Sequence, residues 1–377
     1  MKIVLTGGGS GGHFYPLIAV AQELNALVEE HNLLRPELYY MASMPYDDML
    51  LYQNKIEYVH VSAGKVRTYF SVENVRDFLN TLVGLPTALH LLYKIWPDVV
   101  FSKGGYMSVP VVLAARILRI PVFIHDSDAV PGRANIWAGK FATRIAISYP
   151  EAAEHFKNKD RVALVGNPVR KEVRELVSRD AHAYFHFVQT LPSVLVLGGS
   201  QGADAINTTV LRALPTLLNK FQVIHQVGKN NYDSYKEILD IDLKDHPNIS
   251  RYHLVPYLNP LELRTAAGLA DVIVSRAGSG SIFEISCWEK PAILVPIPKR
   301  ISRDQRHNAY AYARTGAAEV IEQENFTPNV LISELERIVA DEPLKAHMRE
   351  GAKKFQKPNA ARVIAQELLR ICMEHEK

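Results

Sequence analysis

This 377-residue chain is predicted to be an α/β protein of two doubly wound domains, on three observations. Short apolar runs alternate with stretches of helical periodicity, as in parallel sheets covered by helices on both faces. The pattern starts twice: Lys2-Ile-Val-Leu-Thr6 runs into Gly7-Gly-Gly-Ser-Gly-Gly-His13, and Ser193-Val-Leu-Val-Leu197 runs into Gly198-Gly-Ser-Gln-Gly202. The length also exceeds what one ordinary core organises.

The elements follow in order. Lys2–Thr6 reads as a buried strand, and Phe14 to about Glu30 as an amphipathic helix. Further strands are expected at Glu37–Met41, Tyr58–Val61, Asp98–Phe101, Pro121–His125, Arg144–Ile147 and Val162–Val165. Helical spacing recurs over Ser71–Leu92 and Val109–Leu118. Pro168 in Gly166-Asn167-Pro168 stops regular structure and marks the boundary. The expected domains are therefore 1–165 and 166–357. In the second, strands are expected at Ser193–Leu197, Phe221–Gln226, Arg251–Val255, Asp271–Val274 and Pro291–Val295, with helices at Ala203–Leu218 and Leu261–Ala270. Asp240–His246 is a charged loop or helix end. Asn359–His375 reads as a closing helix, with 358–377 packing back on the first domain.

Composition narrows the function. Hydrophobic residues make up 47% and charged residues 22%, as in a globular protein. The net charge of +3 is far below that of a dedicated nucleic-acid binder, so no nucleic-acid partner is expected. Cys287 and Cys372 are the only cysteines; they suit reduced thiols and cannot form a four-cysteine metal site. No run reaches membrane-span length, and the N-terminus enters a strand directly, with no signal peptide expected. A cytoplasmic setting fits.

The glycine turn at 7–12 lets backbone approach a ligand closely, and the helix after it presents free N–H groups to an anion. Gly7, Gly9 and Gly12 satisfy G-x-G-x-x-G, but the strand at Glu37–Met41 ends in Ala42-Ser43-Met44-Pro45 without the ribose-binding acid of a dehydrogenase. His13 stands at the mouth of the turn. It reads equally as a catalytic imidazole or as a helix-start histidine bonding a nearby carbonyl. In the second domain, Asp271-Val-Ile-Val-Ser-Arg-Ala-Gly-Ser-Gly-Ser-Ile-Phe-Glu284 is strand, small-residue turn and helix. Ser279, Gly280 and Ser281 suit a diphosphate, and Glu284 could take two ribose hydroxyls. The alternative is an ordinary helix start with a serine cap and an early glutamate.

Seven motifs in order give a resemblance: Gly7–His13, Gly104-Gly-Tyr106, Gly166-Asn-Pro-Val-Arg170, Gly198–Ala203, His225-Gln226 with Gly228-Lys229, Ser275–Glu284, and Gln305 with Asn308-Ala309. From Lys2 to about Phe326 the chain resembles the MurG family of glycosyltransferases. The resemblance implies the GT-B fold, two Rossmann-like domains facing a central cleft. It implies inverting, metal-independent transfer of N-acetylglucosamine from UDP-N-acetylglucosamine to the 4-hydroxyl of the N-acetylmuramoyl unit of lipid I, giving lipid II. The 1–165 domain would serve the acceptor and membrane, and the 166–357 domain the UDP-sugar.

By the same resemblance, Ser10, Gly11 and Gly12 approach the donor sugar and diphosphate, and Arg170 and Ser200 hold phosphate or neighbouring donor atoms. Leu258 lines the uracil pocket. Ser279, Gly280, Ser281, Ile282 and Phe283 form the diphosphate and ribose turn. Glu284 takes the ribose hydroxyls, and Gln305, beside Asp304, the sugar hydroxyls. His13 is the expected base, with His125 and Asp128 as competitors.

The chain departs from the family at several positions. Asp126-Ser127-Asp128 stands where Glu-Gln-Asn is usual, so Asp128 replaces a donor-contacting amide. Ser10 replaces a threonine, Gly280 a leucine and Phe283 a serine. Asp126-x-Asp128 also mimics a metal-binding D-x-D. Lys65-Val-Arg67-Thr-Tyr-Phe70, leading into Val75–Leu85, reads as a docking patch for the inner membrane surface or as a buried helix. The implied location is peripheral, on the cytoplasmic face of the cell membrane. Rival readings are a GT-B enzyme with another lipid or glycan acceptor and a non-catalytic sugar-nucleotide-binding protein.

Overall fold

Seven strands build the first sheet of the computed structural model: β1 (Lys2–Thr6), β2 (Glu37–Ala42), β3 (Ile56–His60), β4 (Val99–Ser102), β5 (Val122–Asp126), β6 (Arg144–Ile147) and β7 (Val162–Leu164). All pairings are parallel, in the order β3-β2-β1-β4-β5-β6-β7. The structure describes residues 1–64, 72–199, 202–298 and 304–375; at 72–82, 304 and 375 the backbone alone is described.

Four of five residues of β1 and all of β4 and β5 are buried, because helices cover both faces. One face packs Leu17, Leu24 and Phe101 with Ile364 and Leu368 of the C-terminal helix Ala360–His375. The other packs Val4, Val100, Val111, Ile124 and Ile145. Arg362 reaches both Glu30 carboxylate oxygens, at 2.9 and 2.5 Å, tying the C-terminal helix to Gly11–Glu30.

The second unit holds β8 (Ser193–Leu197), β9 (Gln222–Gln226), β10 (Tyr252–Val255), β11 (Val272–Ser275), β12 (Ala292–Leu294) and β13 (Ala318–Val320), also parallel, in the order β10-β9-β8-β11-β12-β13. Its two cores centre on Leu195, Ile273 and Ile282, and on Val196, Val274 and Leu335. Both sheets share the Rossmann order, in which the chain doubles back between the first and fourth strands. In register, Thr6 lies opposite Ser102, and Ser275 opposite Leu197. The turns that follow these strands therefore emerge side by side at each switch point.

The first unit comprises Met1–Arg170 and Lys357–Lys377, and the second Lys171–Gln356. The segment 166–170, expected to open the second domain, sits in the first. The Val165 and Gly166 amides both donate to Ile147 O, and His125 Nε2 donates to Gly166 O at 2.8 Å. Three-residue β13 and the helices Asp304–Ala313, Pro328–Ala340 and Glu342–Phe355 had no counterpart in the sequence reading. Lys65–Phe70 lies outside the described residues.

Candidate active site

In the first unit the site forms at the carboxyl ends of β1, β4 and β5. Gly7 has φ +139°, and a Cβ there would sit 2.9 Å from Lys103 Cβ, so the two turns touch only because Gly7 has no side chain. Tyr40 Oη donates to Gly7 O at 2.6 Å and fixes the first turn. Gly104, at φ +79°, would place a Cβ 2.6 Å from Asn135 Oδ1.

Ser10 is the N-cap of Gly11–Glu30 but makes no side-chain cap. The His13 amide bonds back to Ser10 O at 3.2 Å, which leaves the Gly11 and Gly12 amides without an intrahelical partner. Ser10 and Gly12 are exposed. The donors expected at this turn are thus presented outward.

His13 bonds a nearby carbonyl, as one of its two sequence readings expects. Its Nδ1 lies 3.1 Å from Lys103 O, so Nδ1 carries the proton and Nε2 is the acceptor nitrogen. Burial, then the Lys103 charge, holds its pKa below the usual imidazole value. At neutral pH it is an uncharged base with a fixed tautomer.

Lys103, which no sequence motif singles out, is the centre of this unit's site. It is 1% exposed. Its Nζ lies 2.5 Å from His125 Nδ1, 2.5 Å from Ser127 Oγ and 3.2 Å from Asn167 Oδ1. Burial lowers its pKa to about 7, against the pull of Asp126 and Asp128. His125 is fully buried, donates through Nε2 to Gly166 O, and is held well below the usual value by burial and then by Lys103. It supports the site from inside the fold, so His125 loses its place as a competing base.

Asp126 is an anchor. Its Oδ1 accepts from the Asp128 amide at 3.0 Å, and its Oδ2 from the Gly132 amide at 3.1 Å and Asn135 Nδ2 at 2.8 Å. Both oxygens are therefore spent on shaping the loop. Asp128 is half-buried beside this cluster. The Arg170 guanidinium stacks on the Tyr15 ring, 4.1 Å from its centroid, and its buried Nε has no hydrogen-bond partner among the described residues.

In the second unit the glycine turn follows β8. Gly202, at φ +80°, would place a Cβ 2.4 Å from Val227 O, so the turn closes only with glycine. Ser200 lies outside the described residues. The helix Ser279–Cys287 follows β11 with Gly278 as N-cap and no side-chain cap. Its Gly280 and Ser281 amides have no intrahelical partner. A Cβ on Gly280 would meet nothing within 4 Å among the described residues. By contrast, the helix Pro260–Leu269 is closed by a capping box between Asn259 and Glu262.

Ser281 and Glu284 are half-buried and share a helix face. Gln305 joins them: its Nε2 would lie 3.9 Å from a Cβ on Gly278, and its Oε1 accepts from the Ile297 amide at 3.3 Å. Asn308 Nδ2 reaches Ala277 O at 3.5 Å from the next turn of the same helix. Ser279, Gly280, Ser281, Glu284 and Gln305 are thus brought together.

Three of the expected positions carry buried side chains. Ile282 and Phe283 are 0% and 1% exposed, and Phe283 packs against Phe355 with ring centroids 4.9 Å apart. Their side chains back the turn from the core side. Leu258 also packs into the core, and its amide donates to Gln226 Oε1 at 3.1 Å. The motif residue His225 is structural: Nε2 donates to Asn207 Oδ1 at 3.1 Å and Nδ1 accepts from Tyr252 Oη at 2.9 Å.

Comparison with known proteins adds an independent line. Residues 3–147 match the glycosyltransferase family 28 N-terminal domain, and residues 193–369 the family 28 C-terminal domain. A UDP-N-acetylglucosamine--N-acetylmuramyl-(pentapeptide) pyrophosphoryl-undecaprenol N-acetylglucosamine transferase of Bacillus thuringiensis (strain Al Hakam) is 38% identical over 339 residues, 89% of this chain and 91% of its own. A transferase of the same name from Bacillus cereus (strain ATCC 10987) is 36% identical over 97% of this chain and 99% of its own. The crystal structure of Acinetobacter baumannii MurG superposes with a TM-score of 0.73 at 23% identity, over 98% of this chain and 99% of its own.

Proposed function

The chain belongs to glycosyltransferase family 28, in its MurG branch, and we propose that it transfers N-acetylglucosamine from UDP-N-acetylglucosamine to a polyprenyl-diphosphate-linked N-acetylmuramoyl acceptor. The observation that carries this reading is the 36% identity to a named transferase over 97% of the chain. The product is lipid II, a precursor of peptidoglycan.

The chemistry is one displacement with inversion. The acceptor 4-hydroxyl oxygen bonds to the anomeric carbon as the bond to the diphosphate oxygen breaks. The hydroxyl proton passes to His13 Nε2, the acceptor nitrogen that the Lys103 carbonyl leaves open. UDP departs with the bonding pair and a developing negative charge. The uncapped first-turn amides of Gly280 and Ser281 and the cation of Arg170 suit that charge. Glu284 takes the ribose hydroxyls, and Gln305 the sugar hydroxyls. Ser10, Gly11 and Gly12 form a second donor turn. The spent oxygens of Asp126 support a reaction without a D-x-D metal.

Among the described residues, no helix is long and apolar enough to cross a membrane. With a lipid-linked acceptor, the reading makes the protein peripheral, at the cytoplasmic face of the cell membrane. The test is transfer from radiolabelled UDP-N-acetylglucosamine to a lipid I analogue. A β-linked disaccharide lipid is expected. UDP release only with a different polyprenyl-linked sugar would overturn the acceptor assignment.

A further inference from the structure

Lysine is almost never fully buried unless paired, yet Lys103 is 1% exposed at the switch point of the first sheet. Its partners explain how. An ammonium has three protons and no lone pair, and Nζ meets three acceptors: His125 Nδ1, Ser127 Oγ and Asn167 Oδ1. The Ser127 hydroxyl donates onward to Asn167 Oδ1 at 3.1 Å, so its oxygen is left to accept from the lysine. His125 donates its Nε2 proton to Gly166 O, so its Nδ1 is likewise an acceptor. The geometry is that of a charged amine.

The same residue reaches the candidate base by its main chain. Lys103 O accepts the His13 Nδ1 proton at 3.1 Å. We propose that Lys103 is a positioning residue of this site: its carbonyl fixes the His13 tautomer, and its buried ammonium disfavours a second positive charge on His13, keeping the imidazole neutral and receptive. The proposal rests on the reading of His13 as the base. It also connects two departures from the family pattern. Ser127 replaces a glutamine and accepts from the ammonium, and Asp128 replaces an asparagine and adds a carboxylate that favours it.

The charged and titratable groups around the ammonium come from several elements. His13 lies on the helix after β1, His125 and Asp126 on β5, and Asp128 on the following loop. The 166–170 turn contributes the neutral Asn167 amide. Lys103 is held near 7 and His13 below the usual imidazole value, so the amine is charged where the imidazole titrates.

The test is the titration of His13 by NMR in the full chain carrying labelled histidine, assigned with His13→Asn. Lys103→Met removes the charge and keeps the carbonyl. Lys103→Gln is the second variant, because its amide still donates to Ser127 and Asn167. In a variant with the wild-type circular dichroism spectrum, the His13 midpoint should rise by about one pH unit. The acid limb of single-turnover transfer should rise with it. An unmoved His13 midpoint overturns the proposal. Loss of the fold in both variants overturns it too, because the ammonium would then serve stability alone. A His13 midpoint that rises while the acid limb stays put upholds the Lys103 role and overturns His13 as the base.

Discussion

Replacing His13 with asparagine separates its two duties. The asparagine Nδ2 takes the place of the imidazole Nδ1 and can still donate to Lys103 O, a contact of 3.1 Å in the wild type. The acceptor nitrogen is lost. A positioned base is worth about 10²–10⁴ in rate, which is about 2.7–5.4 kcal/mol of barrier. His13→Asn should lower single-turnover transfer by that factor, with enzyme loaded with UDP-N-acetylglucosamine and mixed with excess acceptor analogue. UDP affinity should hardly change, because His13 is proposed to meet the acceptor hydroxyl and not the nucleotide. The wild-type rate should be flat above the His13 pKa, which burial and Lys103 hold below 6.5, and fall about tenfold per pH unit beneath it. Asp128→Asn is the control, because this carboxylate is the competing base. A His13→Asn enzyme within about tenfold of wild type, or an Asp128→Asn enzyme that alone loses turnover, would refute the reasoning.

Other consequences are equally direct. Glu284→Ala should weaken UDP binding by about 1.5–3 kcal/mol, as for a charged hydrogen bond, and unchanged affinity by calorimetry would remove the ribose assignment. Transfer should persist in EDTA; loss on chelation with recovery in manganese would contradict the anchoring role of Asp126. Burial pushes His225 down to about 3, well below the 6.5 of an unfolded imidazole, so its contribution is complete above pH 6.5 and is lost as pH falls toward 3. At pH 5 the loss is about 2 kcal/mol. His225→Gln should lack that slope in urea unfolding followed by Trp288 fluorescence in a Trp96→Phe, Trp137→Phe background; equal slopes would sink the linkage.

The backbone frame was legible because its signals are local. Apolar runs bounded by glycine turns name the parallel strands, and twelve of the thirteen observed strands overlap those expected. Three-residue β13, Ala-Glu-Val, carries no such pattern and exists because β12 offers it an edge. The turn glycines were legible for the same reason: positive φ at Gly7 and Gly202 and the uncapped helix starts follow from composition at a strand end. Facing directions were harder. Ile282 and Phe283 stand in the same small-residue helix start as Ser281 and Glu284, and only the core beneath decides which pair turns inward.

Lys103 marks where local reading stops. A lysine between a strand and two glycines looks like a surface residue, and nothing nearby in sequence could neutralise it. Its partners come from 22, 24 and 64 positions away. Those distances are bridged only by the strand order β4-β5-β6-β7, which brings the ends of β4, β5 and β7 to one edge of the sheet. The first unit runs on to Arg170, past the boundary expected at 165, for the same reason. Pro168 does end regular structure, but Asn167 is tied to the ammonium and Arg170 to Tyr15, so the chain leaves the first unit only after both contacts are made. Taken alone, Asp126-Ser127-Asp128 reads as a changed donor contact at Asp128. Set against Lys103 it becomes a matched set: one carboxylate spent on the loop, one hydroxyl on the amine, and one carboxylate balancing the charge that keeps His13 neutral.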